Sequence, residues 1–219
     1  MDLVRFLVTA GAGLEMKDGL GQTPLHIVAG TGNAAVGQLL VDAGADVNAT
    51  QHTGCSPLHF ASVAGHAAVA KVLLDAGAAV DAKAENGDTP LLRTSLRGHA
   101  EVAQMLLHAG ADVEATRNRV TPLTLAVSYA YLPLLRVLLA AGADVAATHM
   151  GVCPQLHAAA MRGNAAVVQM LLEAGADPFV KDADGNTVLD AGGDHEDVVA
   201  LLRAWRWVDM QRLAVGASR

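Results

Sequence analysis

Between Thr23 and Gly54 the apolar and polar positions of this chain outline two short helices followed by a polar, turn-rich stretch. Thr23 offers an oxygen to the free amides of a first helical turn. Pro24 sits where its missing N–H costs nothing and its fixed φ suits a helix. Gly32, two turns later, is suited to the left-handed conformation that ends a helix. Asn33 then caps a second helix, with Val36, Leu39 and Leu40 on its buried face, and Gly44 closes it. Asp46 to Gly54 is polar and rich in turn residues. No apolar run reaches the roughly 18–20 residues of a membrane-spanning helix.

The same arrangement recurs. The segment Thr23-Pro24-Leu25-His26 returns as Ser56-Pro57-Leu58-His59, Thr89-Pro90-Leu91-Leu92 and Thr121-Pro122-Leu123-Thr124. Its leucine marks a register through Leu25, Leu58, Leu91, Leu123, Leu156 and Leu189, at intervals of 33, 33, 32, 33 and 33 residues. A glycine follows nineteen residues after each of the first five: Gly44, Gly77, Gly110, Gly142 and Gly175. Two independent markers in one register identify a repeat array. A helix pair of this size cannot bury its apolar face alone, so neighbouring pairs must stack.

The pattern resembles the ankyrin repeat, over nearly the whole chain. Thr23 to Val47 and Ser56 to Val80 show it most fully, from the threonine- or serine-proline start through the Gly-Asn or Gly-His step to Leu-Leu and Gly-Ala. The resemblance implies an all-α solenoid of stacked helix-turn-helix pairs with projecting β-hairpin fingers. The register divides a single domain, 1–219, into a half repeat 1–16, full repeats 17–49, 50–82, 83–115, 116–147 and 148–180, and a degenerate capping repeat with tail, 181–219. Residues Asp2 to Gly11 align with a second helix only, so the array is expected to extend upstream or to fray there. The last unit carries Gly192-Gly193 inside its first helix and continues through Leu201-Leu202, Trp205 and Trp207.

Three departures have structural consequences. The short interval falls in the finger Glu114 to Val120, where Arg117-Asn118-Arg119 lacks a turn glycine, so that finger should be tighter or distorted. Repeat five reads Cys153-Pro154-Gln155-Leu156-His157, and cysteine is a poor cap, so its first helix should start weakly. Pro133 falls in the first turn of a second helix, where proline is tolerated.

Composition narrows the function. The chain is 52% apolar but only 3% aromatic, which suits helices packed through small side chains. A formal charge of -7 disfavours nucleic acid and anionic membrane as partners. Two cysteines, Cys55 and Cys153, make no disulfide framework. They stand three repeats apart, so both are expected as free thiols, in a reduced intracellular setting, cytoplasmic or nuclear. Nine histidines invite a metal site. However, His26, His59 and His157 share one register position, and His66, His99 and His195 another. Helices stack at about 8–10 Å, whereas zinc needs its ligands at about 2 Å. These rings are expected to form structural hydrogen bonds within each repeat. Gly30-Thr31-Gly32-Asn33-Ala34-Ala35 fits a loose dinucleotide fingerprint but lacks the preceding strand. No cofactor and no catalytic constellation is expected.

The resemblance implies a protein partner, held by a concave face of finger tips and first-helix ends. By register this surface comprises Leu96, Arg97, Ser128, Tyr129, Met161 and Arg162 from helix ends in repeats three to five. The fingers add Glu85, Asn86, Arg117, Arg119 and Met150, with His52 and Asp88 as further candidates. Residues 89–165 hold six basic side chains, all arginine, against four acidic, a net +2 (6 − 4) within an acidic chain. Arginine pairs bidentately with carboxylate or phosphate, so the expected partner segment is acidic or phosphorylated, bound by a monomer. The alternative is a stretch of structural scaffold without a groove ligand. The resemblance further implies that Asn48, in Val47-Asn48-Ala49 with Leu40 eight residues before it, is a hydroxylation site.

Overall fold

The computed structural model describes residues 13–149 and 153–205. Met150, Trp207, the tail beyond it and most of the expected half repeat lie outside the described residues. The chain divides between Arg117 and Asn118 into two compact units.

The first unit stacks three helix pairs: α1 (Pro24–Thr31) with α2 (Ala34–Asp42), α3 (Pro57–Ala64) with α4 (Ala67–Asp75), and α5 (Pro90–Arg97) with α6 (Ala100–His108). Each first helix begins on an extended Thr23, Ser56 or Thr89 with proline directly after it. Each ends on a left-handed glycine, at φ 82°, 76° and 75°. Asn33 caps α2 as its sequence indicates, its Oδ1 accepting from the Val36 amide at 3.2 Å. Leu25, Leu58 and Leu91, the register leucines, are among the most deeply buried side chains. On α2, Leu40 is buried whereas Val36 and Leu39 are only half-buried. Gly37 takes the inward position between them, where even a Cβ would reach 3.4 Å from Val28.

Histidines tie successive pairs together. The Nε2 of His26 bonds the Cys55 carbonyl at 3.0 Å, and that of His59 bonds the Asp88 carbonyl at 3.1 Å. A carbonyl only accepts, so Nε2 carries the hydrogen and Nδ1 accepts from the amide of Thr23 or Ser56. At the second position, His66 and His99 reach back to the Gly30 and Val63 carbonyls. Their rings lie flat against Gly32 and Gly65, where an added Cβ would come within 2.6 Å of the imidazole. The histidine bonds expected within each repeat therefore run mostly between repeats, because the ring is long enough to span the stacking distance.

The second unit repeats the plan with α7 (Pro122–Tyr129) and α8 (Leu132–Ala140), α9 (Gln155–Met161) and α10 (Ala165–Glu173), then α11 (Val188–Gly192) and α12, residues 196–205. Pro133 occupies the first turn of α8. Asn118 and Arg119 both adopt positive φ, 51° and 64°, which is the tight reversal expected where the turn glycine is missing. The position of the helix-ending glycines is held here by Ala130, at φ 55°. Repeat five starts weakly, as expected: α9 has only seven residues, Pro154 stands at its N-cap, and no side chain caps it. Pro154 replaces the amide and hydroxyl that serve Nδ1 elsewhere, and His157 Nδ1 is buried with no partner. Gln155 Nε2 donates to the Thr124 hydroxyl at 3.0 Å, which ties α9 to α7.

Fingers are short. Thr148–His149 pairs with Cys153–Pro154 as two antiparallel strands, and Lys181 bridges Thr187. In the first unit the fingers are hairpin turns closed by pairs of backbone bonds, such as the Gln51 amide to the Cys55 carbonyl with the Gly54 amide to the Gln51 carbonyl. Adjacent fingers are joined by the Glu85 amide donating to the Thr53 carbonyl.

Candidate protein-binding surface

In the first unit, Leu96 and Arg97 end α5, both exposed, Leu96 by 38%. Among the finger residues, Asp88 departs from its register expectation. Asp88 is buried, and its carboxylate accepts from Arg117 at 2.7 Å, from Asn86 Nδ2 at 2.9 Å and faces Arg93 Nε at 3.5 Å. Arg117 and Asn86 thus neutralise and solvate an internal carboxylate, and Asp88 is withdrawn from any partner. Glu85 remains exposed beside them. His52 is exposed at the neighbouring finger, with its ring packed on Gly21.

Asn48 joins two fingers: its Oδ1 accepts from the Ala79 amide at 2.8 Å. Glu15 does the same for the Asp46 amide and Asp81 for the Asp112 amide, each 31 residues on. Hydroxylation at Asn48 would act on a side chain already engaged in this link.

In the second unit, Ser128 and Tyr129 end α7, and Met161 and Arg162 occupy the same two positions at the end of α9. Tyr129 is 54% exposed and Met161 60%. Arg119 is exposed in the reversal before α7. Two residues that register reasoning missed hold this surface in place. Tyr131 stacks on Tyr129, centroids 5.6 Å apart and planes 25° from parallel. His195 Nε2 donates to the Met161 carbonyl at 3.3 Å. Arg162 donates one N–H to the Ala158 carbonyl at 3.1 Å, which leaves further donors of its guanidinium for a partner. The missed signal was legible: Tyr131 fills the register position where His66, His99 and His195 stand, and an aromatic there continues the surface of Tyr129. Met150 lies outside the described residues.

No group of three or more His, Cys, Asp or Glu side chains suited to a metal occurs among the described residues. Cys55 is a free, buried thiol. No helix among the described residues is long and apolar enough to cross a membrane.

Comparison with known proteins agrees with this architecture. A family profile described as "Ankyrin repeats (3 copies)" matches residues 1–85 and 78–149, and one described as "Ankyrin repeats (many copies)" matches residues 156–203. No curated protein matches the chain. Among solved structures, the ankyrin repeat domain of Bcl-3, described as a unique member of the IkappaB protein family, is 31% identical with a TM-score of 0.80. That match covers 92% of this chain and 91% of the other. The human ASB11 ankyrin repeat domain is 25% identical with a TM-score of 0.61, covering 84% of this chain and 98% of the other. The profiles together span most of the sequence, and the chain belongs to the ankyrin-repeat family.

Proposed function

We propose that this protein binds a partner segment through the surface of Ser128, Tyr129, Met161 and Arg162 in its second unit. Ankyrin-repeat domains are generally protein–protein interaction modules, and these four residues stand at the positions such domains vary. The observation that carries the reading is the pair of large exposed side chains, Tyr129 and Met161, at equivalent ends of α7 and α9. Tyrosine, methionine and arginine are the types enriched at interfaces. Stacking by Tyr131 and the His195 bond hold the surface before any partner arrives, which lowers the entropy lost on binding. Residues 118–165 contain Arg119, Arg136 and Arg162 against Asp144 alone, a net +2 (3 − 1). That excess favours an acidic or phosphorylated segment. Leu96 and Arg97 hold the same positions in the first unit and form a separate candidate contact. Arg117 and Asn86 are assigned to holding Asp88 instead.

The test compares proteins captured from a lysate by wild type and by a Tyr129→Ala/Met161→Ala/Arg162→Ala variant, then titrates each captured partner. This reading expects a partner lost from the variant and kept by an Arg136→Ala control on the outer helix. A partner retained equally by the triple variant would favour the scaffold alternative.

A further inference from the structure

The last finger and α12 of the second unit border an open-sided space that the partner surface above does not use, with Phe179 47% exposed at its edge. It is a cavity of about 280 Å³. Its walls are Pro178, Phe179, Leu189 and Leu202, and it is also lined by Lys181 and Arg203. Leu202 is 5% exposed and Leu189 half-buried, so the space reaches toward the core of the unit. The bridge between Lys181 and Thr187 fixes the backbone at the finger's base, from which the exposed Lys181 side chain lines the space. This part of the chain is acidic, and its nearby carboxylates accept hydrogen bonds within the finger and the first turn of α11, although the charge of Asp190 also lies in the field of Lys181. Asp182 accepts from the amides of Asp184 and Asn186 and from Asn186 Nδ2. Asp190 accepts from the amide and hydroxyl of Thr187. No carboxylate is among the described lining residues.

We infer that this cavity takes the C-terminal residue of a partner peptide, its apolar side chain inside and its terminal carboxylate between Lys181 and Arg203. The volume is just below the roughly 300–1,000 Å³ range of small-molecule pockets, which suits one side chain rather than a larger ligand. An arginine fork and a lysine ammonium recognise a carboxylate by charge-assisted hydrogen bonds. An internal Asp or Glu would bring two flanking peptide groups into apolar surroundings without partners, which is costly. A chain end carries its apolar side chain and its charge on a single carbon. The site is separate from the Tyr129 surface and does not depend on it.

Anisotropy of a dye-labelled octapeptide ending in leucine, titrated with the full chain, tests this. The free acid should bind at least tenfold more tightly than the same peptide amidated or ending in glycine. Lys181→Gln and Arg203→Gln should each weaken the acid several-fold and leave the amide unchanged. Both side chains are exposed, so an unchanged urea midpoint will show that each variant is folded. Tyr129→Ala should bind the peptide as wild type does, which keeps this result independent of the partner surface. Equal binding of acid and amide, absence of binding, or unaltered affinity in both glutamine variants would overturn the inference. So would binding of octanoate without the peptide, which would assign the cavity to a free carboxylic acid.

Discussion

One register position can be changed in opposite directions with unequal consequences. Gly65 ends α3 at φ 76°, and Ala130 ends α7 at φ 55°. Placing alanine at position 65 introduces left-handed strain of about 1–2 kcal/mol. It also drives a Cβ to 2.6 Å from the His99 ring, which must swing away and release the Val63 carbonyl. That lost bond adds about 1 kcal/mol, for a total of about 2–3 kcal/mol. Ala130→Gly removes only the backbone strain, partly offset by about 0.5–1 kcal/mol of glycine's extra freedom in the unfolded chain. Its net gain is therefore between about 0 and 1.5 kcal/mol. Urea unfolding followed by far-ultraviolet circular dichroism measures both changes. Repeating Gly65→Ala in a His99→Ala background isolates the ring, and there its cost should fall to the backbone strain alone. Equal and opposite shifts for the two single variants, or an unchanged cost without His99, would refute the role given to the ring.

Three other outcomes follow from the same contacts. Ala146 stands where Glu15, Asn48 and Asp81 accept an amide 31 residues on, so Ala146→Asn should add a bond to the Asp177 amide and raise stability by about 1 kcal/mol; an unchanged urea midpoint would reject the register argument. Ser62 Oγ and Thr94 Oγ1 are buried without partners, so Ser62→Ala and Thr94→Val should each stabilise by about 1 kcal/mol, whereas a loss in either would show an unseen partner. Burial lowers the pKa of His26 and of His59 from 6.5, against the raising effect of their carbonyl bonds. The unfolded chain then binds more protons below pH 6.5, so their stabilisation is complete above that pH and is lost as pH falls from 6.5 toward the folded values. The urea midpoint should be flat above pH 7 and decline below 6.5, with His59→Gln less stable at pH 7.5 but shallower in slope; a midpoint constant from pH 7.5 to 5.5 would contradict this.

The helix pairs were legible because each marker in the sequence has one dominant local cause. Proline after threonine starts a helix, and a left-handed glycine ends it, whatever lies nearby. Ala130 shows the limit of that logic, since it ends a helix in the glycine conformation without being glycine. The position above Gly32, Gly65 or Gly163 carries a histidine ring that a Cβ would strike, whereas the corresponding residue for Ala130 is Asn164. The surface was legible at helix ends, where register alone sets direction, and misleading in the fingers. Asp88 looks like an exposed tip in sequence but is buried, because nothing local reveals that two arginines from different elements converge on its carboxylate. The connections of His26 and His66 to neighbouring repeats were hidden for the same reason: their partners lie 29 and 36 residues away.

Hydrogen exchange of the protein with and without a captured partner tests the central claim most directly. Binding at the proposed surface should slow exchange at residues 127–131 and 159–164, at the ends of α7 and α9, while α8 and α10 keep their free-state rates. Protection confined to α8 and α10, or absent from the second unit altogether, would contradict the claim that Tyr129, Met161 and Arg162 receive the partner.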